Sequence, residues 1–162
     1  MKIYLAGPLG FSEAGRFYQD TVLLPALGRA GHDILNPWKL TDQHKIDAIA
    51  AMPYGPARRD AWRNLNVEIG RNNQLAIDSS DIVFAILDGA DVDSGTAAEI
   101  GYACARGKPI LGYRGDFRLS ADNEGAMVNL QVEYFIRAGG GDIVTTLADA
   151  LAKLETLGKG PP

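Results

Sequence analysis

The chain contains few residues that form disulfides or bind metals, with one cysteine and two histidines in 162 residues. Cys104 cannot form an internal disulfide, and its position among alanines and glycines predicts a small buried side chain rather than a catalytic one. His32 and His44 have no partner at the spacing that metal ligands require. We therefore expect no disulfide framework, no metal and no cofactor.

An excess of positive charge and long apolar runs are also missing. The chain has 16 Lys and Arg residues against 20 Asp and Glu residues, which gives a net charge of −4. This balance argues against nucleic acid as a partner, because neutralising phosphates requires a basic surface. No apolar run approaches a membrane span, and the opening MKIYLAGPLG is interrupted too early for a signal peptide. We expect a cytoplasmic protein with neither a nucleic-acid nor a membrane partner.

Strand-like and helix-like patterns alternate along the chain, which is typical of an α/β fold. Strands are predicted at 2–6, 33–35, 81–87, 109–113 and 143–144, and helices at 13–30, 60–77, 96–106, 127–137 and 146–157. Segment 127–137 also fits a strand, and 37–59 is predicted to be a long functional loop with one helical turn near 46–51. The alternation predicts a flavodoxin-like, doubly wound parallel sheet of about five strands. We assign residues 1–157 to this single domain and 158–162 to a flexible C-terminal tail.

The segment 81–106, DIVFAILDGADVDSGTAAEIGYACAR, carries the strongest functional signal. A buried-strand pattern ends at Asp88, a short loop adds Asp91 and Asp93, and a helix then begins with Glu99 in its first turns. In parallel α/β sheets, ligands bind where strands end and the following helices begin. Two carboxylates at such an edge can divide their roles, one acting as nucleophile and the other handling a proton.

Less specific interpretations of this segment stay open. Thr96 and Glu99 fit a capping box, in which Thr96 caps the helix and Glu99 reaches back to its amide. The aspartates could also form a solvated acidic loop or a magnesium site. The turn Gly7-Pro8-Leu9-Gly10 lacks both the P-loop lysine and the dinucleotide fingerprint, so it is a weak phosphate signal, although it lets a ligand approach the backbone. Tyr4, inside the first strand, fits core packing with its hydroxyl at the edge.

Several of these segments together resemble one enzyme family. They are KIYLAGP at 2–8, Asn73, DIV at 81–83, DSGTAAEIGYA at 93–103 and VNLQ at 128–131. The chain resembles the nucleoside 2-deoxyribosyltransferases and their relatives, the 2'-deoxynucleoside 5'-phosphate N-hydrolases. The likeness covers most of the domain, and the D-x-G-T-x-x-E-x-G pattern after a D-I-V strand is fairly specific.

The resemblance implies a reaction and roles for individual residues. Glu99 would attack C1' of a 2'-deoxynucleoside and form a deoxyribosyl ester, which a second nucleobase would then open with net retention. Asp93 would bind the base and assist its protonation, and Tyr4 would hydrogen-bond near Glu99 and the sugar. Asn129 would reach the 5'-hydroxyl of the sugar bound in the active site of a neighbouring subunit. The protein would then be a homo-oligomer with a shared active site. The expected partners are 2'-deoxynucleosides and free nucleobases, in nucleotide salvage.

Substrate contacts are harder to assign from the sequence. The family often has an aspartate where this chain has Asn73, which we expect to orient the base, and a methionine where it has Gln131. Gly7, Phe11 and Gln43 complete the expected substrate-binding set, and Trp38 is a further candidate that fits loop packing equally well. The apolar run 130–136 indicates a subunit interface, although it could instead pack internally. Hydrolysis of deoxynucleoside monophosphates and non-catalytic nucleotide binding are the alternative functions.

Overall fold

A five-stranded parallel sheet forms the centre of the molecule. The computed structural model describes residues 1–118 and 121–157. The strands are β1 (Lys2–Ala6), β2 (Asp33–Leu35), β3 (Ile82–Ile86), β4 (Ile110–Tyr113) and β5 (Asp142–Val144). They lie in the order β2-β1-β3-β4-β5, and every neighbouring pair is parallel. This confirms the predicted flavodoxin-like sheet in a single domain, whereas the predicted flexible tail 158–162 lies outside the described residues.

Helices connect the strands and cover both faces of the sheet. They are α1 (Glu13–Tyr18), α2 (Leu24–Arg29), α3 (Gln43–Ala50), α4 (Pro56–Ser79), α5 (Ser94–Ala105), α6 (Leu130–Ala138) and α7 (Leu147–Leu157). A π-helical turn, Gln19–Leu23, joins α1 to α2, so the predicted helix 13–30 is one continuous helical segment. Among the described residues, no helix combines the length and apolar character needed to cross a membrane.

The prediction for residues 37–59 as a mostly irregular loop is wrong in part. A 3-10 turn, Pro37–Lys39, is followed by the full helix α3 and then by the start of α4. Local capping explains these elements, because Asp42 accepts a hydrogen bond from the His44 amide at 2.9 Å and Pro56 occupies the first turn of α4. The weak apolar periodicity of α3 hid it from the sequence, since the helix buries no residue fully.

The side chains of β1 and β3 alternate between two cores. Ile3, Leu5 and Phe84 pack with α2 and α7 on one face of the sheet. Tyr4 and Val83 point to the opposite face, where α4, α5 and α6 cover them. Because successive side chains in a strand point to opposite faces, this register directs the Tyr4 hydroxyl towards α5. The fold thus brings the first strand and the fifth helix together at one edge.

Candidate active site

A cavity of about 390 Å³ opens at the edge where β1 and β3 end. These two strands lie side by side, and β2 and β4 extend the sheet in opposite directions from them. Such a reversal of strand order leaves a crevice between the connections, where ligands bind in this type of fold. The cavity is lined by Gly7, Phe11, Pro37, Trp38, Asn66, Ile69, Asn73, Asp93, Gly95, Thr96 and Glu99.

Two neighbouring side chains hold one oxygen of the Glu99 carboxylate. The Tyr4 hydroxyl donates a hydrogen bond to Glu99 Oε1 at 2.6 Å. Asn73 Nδ2 donates to the same oxygen at a longer 3.4 Å. Within the described part of the chain, Glu99 Oε2 receives no hydrogen bond. The carboxylate is therefore held through one oxygen only.

Burial changes the protonation of this pair. Burial raises the pKa of the Glu99 carboxyl; the hydrogen bond from Tyr4 opposes that shift, and the charge of Asp93 adds to it. The Tyr4 hydroxyl has its pKa raised well above its usual range, by burial and then by the adjacent Glu99 charge and hydrogen bond. Tyr4 therefore stays a hydrogen-bond donor at every ordinary pH, and Glu99 alone changes its charge.

The capping-box interpretation of Thr96 and Glu99 is wrong. Helix α5 begins at Ser94 and Asp93 is its N-cap, with Oδ2 accepting hydrogen bonds from Thr96 N at 3.0 Å and from Thr96 Oγ1 at 3.1 Å. Aspartate caps helices as well as threonine does, and its earlier position starts the helix two residues sooner than predicted. Glu99 bonds to Tyr4 across the sheet edge instead of to its own helix.

Two aromatic rings form the outer wall of the cavity. Phe11 and Trp38 meet edge to face, with ring centroids 4.6 Å apart. The Trp38 ring lies directly against Gly10, where a Cβ atom would come within 2.1 Å of it. Only glycine leaves room for the ring at that position. Phe11 is 73% exposed and faces the opening, so the wall offers an apolar surface to a flat ligand.

The structure brings six of the predicted site residues together. Glu99, Asp93, Asn73, Gly7 and Phe11 line the cavity, and Tyr4 contacts it through Glu99. Asn73 Oδ1 is shielded from solvent and has no hydrogen-bond partner among the described residues.

The other three predicted substrate contacts do not line this cavity. Gln43 is exposed at the start of α3 and donates to Asp47 at 2.8 Å. Asn129 caps α6, its Oδ1 accepting from Gln131 N at 3.0 Å, and the Gln131 side chain is exposed. None of the three is among the residues that line the two cavities containing Glu99.

Sequence reasoning missed part of the lining. Asn66 and Ile69 lie on the same face of α4 as Asn73, at helical spacings of three and four residues. The helix was predicted, so the spacing from Asn73 was the signal that could have identified them. Pro37, Gly95 and Thr96 also line the cavity and were not predicted to do so.

A second cavity, formed by residues of α4 and α5, also reaches Glu99. Its volume is about 310 Å³, and it is lined by Gly70, Asn73, Gln74, Ile77, Ala98, Glu99 and Tyr102. Val67, three and seven residues before Gly70 and Gln74 on the same face of α4, is 73% exposed. No three His, Cys, Asp or Glu side chains of residues 1–118 and 121–157 lie close enough together to hold a metal ion.

Comparisons with known proteins identify a family and several similar structures. A family model described as nucleoside 2-deoxyribosyltransferase matches residues 3–131. A search of the curated proteins found no match. Among solved structures, a conserved protein from Enterococcus faecalis is 27% identical, with 96% of this chain and 98% of that one covered and a TM-score of 0.64.

Two further solved structures are similar to the chain. A 2-desoxiribosyltransferase from Leishmania mexicana is 25% identical, with 94% of this chain and 95% of that one covered and a TM-score of 0.63. A CMP N-glycosidase from Clostridium botulinum is 21% identical, with 97% and 99% covered and a TM-score of 0.55. At that identity, the second likeness concerns the fold alone.

Proposed function

The chain belongs to the nucleoside 2-deoxyribosyltransferase family, and we propose that it moves 2-deoxyribose between purine or pyrimidine bases. The observation that carries this proposal is the half-buried Glu99, held through Oε1 by Tyr4 while Oε2 is left for the cavity. A carboxylate fixed in this way is arranged to attack a sugar carbon. Base exchange among free nucleosides would serve nucleotide salvage in the cytoplasm.

In the first step, Glu99 Oε2 forms a bond to C1' of the nucleoside while the bond from C1' to the base nitrogen breaks. The electron pair of that bond leaves with the base. Tyr4 donates to Oε1 throughout, so it keeps the carboxylate oriented without taking its proton. The product of this step is a deoxyribosyl ester of Glu99, as in retaining glycosidases.

The departing base needs a proton, and Asp93 is the group proposed to supply it. An unprotonated base anion is a poor leaving group, so a carboxylic acid beside it accelerates the step. Asp93 lines the same cavity as Glu99 and interacts with it electrostatically. Asn73 carries a neutral amide that cannot deliver a proton, and its donation to Glu99 at 3.4 Å suits a positioning role.

The second step reverses the first with a different base. A free nucleobase enters, attacks C1' of the ester, and returns its proton to Asp93 as Glu99 leaves. Two inversions at C1' give net retention of configuration. The wall formed by Phe11 and Trp38 would bind the flat ring of each base in turn, since aromatic side chains bury large apolar area against such rings.

We further propose that the enzyme is a homo-oligomer whose active site is shared between subunits. Asn129 and Gln131 do not line the cavity of their own chain, so a role at the sugar requires another subunit. On α6, Val132 and Ile136 pack in the core, whereas Leu130 is 53% and Tyr134 is 62% exposed. The second cavity beside Glu99, with exposed Val67 on the same face of α4, is a surface that these side chains of a second copy could cover.

Hydrolysis is the second candidate function. The same Glu99 ester could be opened by water instead of a base, and the second cavity, whose lining includes neither Phe11 nor Trp38, also reaches Glu99. An N-hydrolase acting on deoxynucleoside 5'-phosphates would need a group that binds the phosphate. Asn129, a neutral amide, suits an uncharged 5'-hydroxyl better.

Incubation with deoxyinosine and adenine tests the proposed transfer. We expect deoxyadenosine to form, because adenine should occupy the pocket vacated by hypoxanthine and trap the ester faster than water does. Chromatography of the products over time measures this. Rapid hydrolysis of a deoxynucleoside monophosphate, with free nucleosides untouched, would establish the hydrolase instead. Ligands that are bound but unchanged after long incubation would indicate a non-catalytic module.

A further inference from the structure

We propose that the Thr96 hydroxyl positions Asp93 for proton transfer, by occupying one carboxylate oxygen and leaving the other to the nucleobase. The proposal rests on the proposed function, because it concerns the acid that protonates the departing base. Thr96 is a positioning residue in this account, and Asp93 is the group that touches the base.

The geometry around Asp93 is asymmetric. Asp93 Oδ2 accepts two hydrogen bonds from Thr96, one from the backbone amide at 3.0 Å and one from the hydroxyl at 3.1 Å. Asp93 Oδ1 receives no hydrogen bond from any residue that the structure describes. Both residues line the cavity that contains Glu99. A proton exchanged with a ligand therefore has to travel through Oδ1.

Burial makes the hydroxyl of Thr96 important. The residue is only 1% exposed, so its hydroxyl is not available to solvent and is held in the hydrogen bond to Asp93. Gly95 adds to the fit, since a Cβ at this position would lie 3.1 Å from Asp93 Oδ2. An aspartate that only capped the helix would need the backbone donor alone. The second donor restricts the rotation of the carboxylate, which a catalytic acid requires and a cap does not.

Two conservative variants separate the hydroxyl from the shape of the side chain. Thr96→Val keeps the volume and removes the hydroxyl, whereas Thr96→Ser keeps the hydroxyl and removes a methyl group. Each is assayed on deoxyinosine and on 7-methyl-2'-deoxyinosine. Methylation at N7 puts a positive charge on the base, so that this base leaves without needing a proton. Circular dichroism and thermal melting confirm that both variants are folded.

The expected result depends on the leaving group. On deoxyinosine, Thr96→Val should lose about tenfold or more in kcat, because a misplaced acid protonates the base poorly. On the methylated substrate, the same variant should stay within about threefold of wild type, because acid catalysis is not needed there. Thr96→Ser should stay within about threefold of wild type on both substrates, since it keeps the donor to Asp93.

Three results would overturn the proposal. An equal loss on both substrates would mean that Thr96 serves the fold and not the proton. Full activity of Thr96→Val on deoxyinosine would mean that the backbone amide is sufficient. If Thr96→Val does not fold, the test depends on Thr96→Ser. A large loss of kcat on deoxyinosine in that variant, which keeps the hydroxyl, would contradict the proposal. If the wild type cleaves neither substrate, the proposed function itself fails. If the wild type cleaves both, the Thr96 variants test the role of the hydroxyl separately.

Discussion

The Glu99→Gln variant should lose base exchange by at least about a thousandfold, because a neutral amide cannot attack C1' and no other carboxylate takes its place. The side chain keeps its size and can still accept the Tyr4 hydrogen bond that Glu99 accepts at 2.6 Å. Product formation from deoxyinosine and adenine measures the loss.

The same variant should be more stable than wild type at neutral pH. Burial raises the pKa of Glu99 in the folded protein, so folding favours the protonated form and the charged form costs stability. That cost is present in full above the pKa that Glu99 has in the folded protein. It disappears as the pH falls to the pKa of the same group in the unfolded chain. The melting temperature of Glu99→Gln should therefore exceed wild type at pH 7.5 by about 2–4 °C for each kcal/mol recovered. The gain should vanish near pH 4.

A surface glutamate provides the matched control for these measurements. Glu155 is exposed on α7, on the face of the sheet opposite the cavity. Glu155→Gln should therefore leave base exchange unchanged and should show no gain in melting temperature at pH 7.5. Activity of Glu99→Gln within tenfold of wild type would contradict the assignment of the nucleophile.

Mixing two inactive variants should restore activity if the site is shared between subunits. One variant is Glu99→Gln, and the other is Asn129→Ser, which shortens the side chain but keeps a hydroxyl to cap α6. In oligomers that exchange subunits, a pocket works when Glu99 comes from one chain and Asn129 from another. Random mixing in a dimer would make about a quarter of the pockets competent.

The controls for this mixing experiment establish that subunits exchange. Differently tagged copies should co-purify after incubation, and each variant alone should stay inactive. A protein that is monomeric at assay concentration would contradict the shared site. So would a mixture that remains inactive after proven exchange.

The centre of the sheet was predictable from the sequence because β1, β3 and β4 are buried on both faces. Runs such as Ile82 to Leu87 are continuously apolar, and turn residues bound them, so their place and the parallel order followed. The sequence also predicted that the aspartates after β3 lie at one edge of the sheet, since the carboxyl ends of parallel strands all lie on the same side. Helix α3 was not predicted in full, because it buries no residue fully and its apolar residues show little helical periodicity.

The internal geometry of the site was less predictable. The contact between Tyr4 and Glu99 was expected only from the family resemblance, because the two residues are 95 positions apart and the register of β1 beside β3 brings the hydroxyl to the carboxylate. Asp93 and Thr96 are both good capping residues, so sequence alone favoured the wrong one. Trp38 reaches the cavity because Gly10 leaves room for its ring, a contact between two turns that no spacing rule describes.

Trapping the sugar on Glu99 tests the central claim most directly. A 2'-deoxy-2'-fluoro nucleoside should form the ester and open it slowly, because fluorine at C2' destabilises the cation-like transition state of both steps. Intact-mass spectrometry should show one added fluorodeoxyribosyl group per chain, peptide mapping should place it on Glu99, and adding adenine should release it as a nucleoside. Turnover that continues with no adduct on any chain, or an adduct on a different residue, would contradict the account.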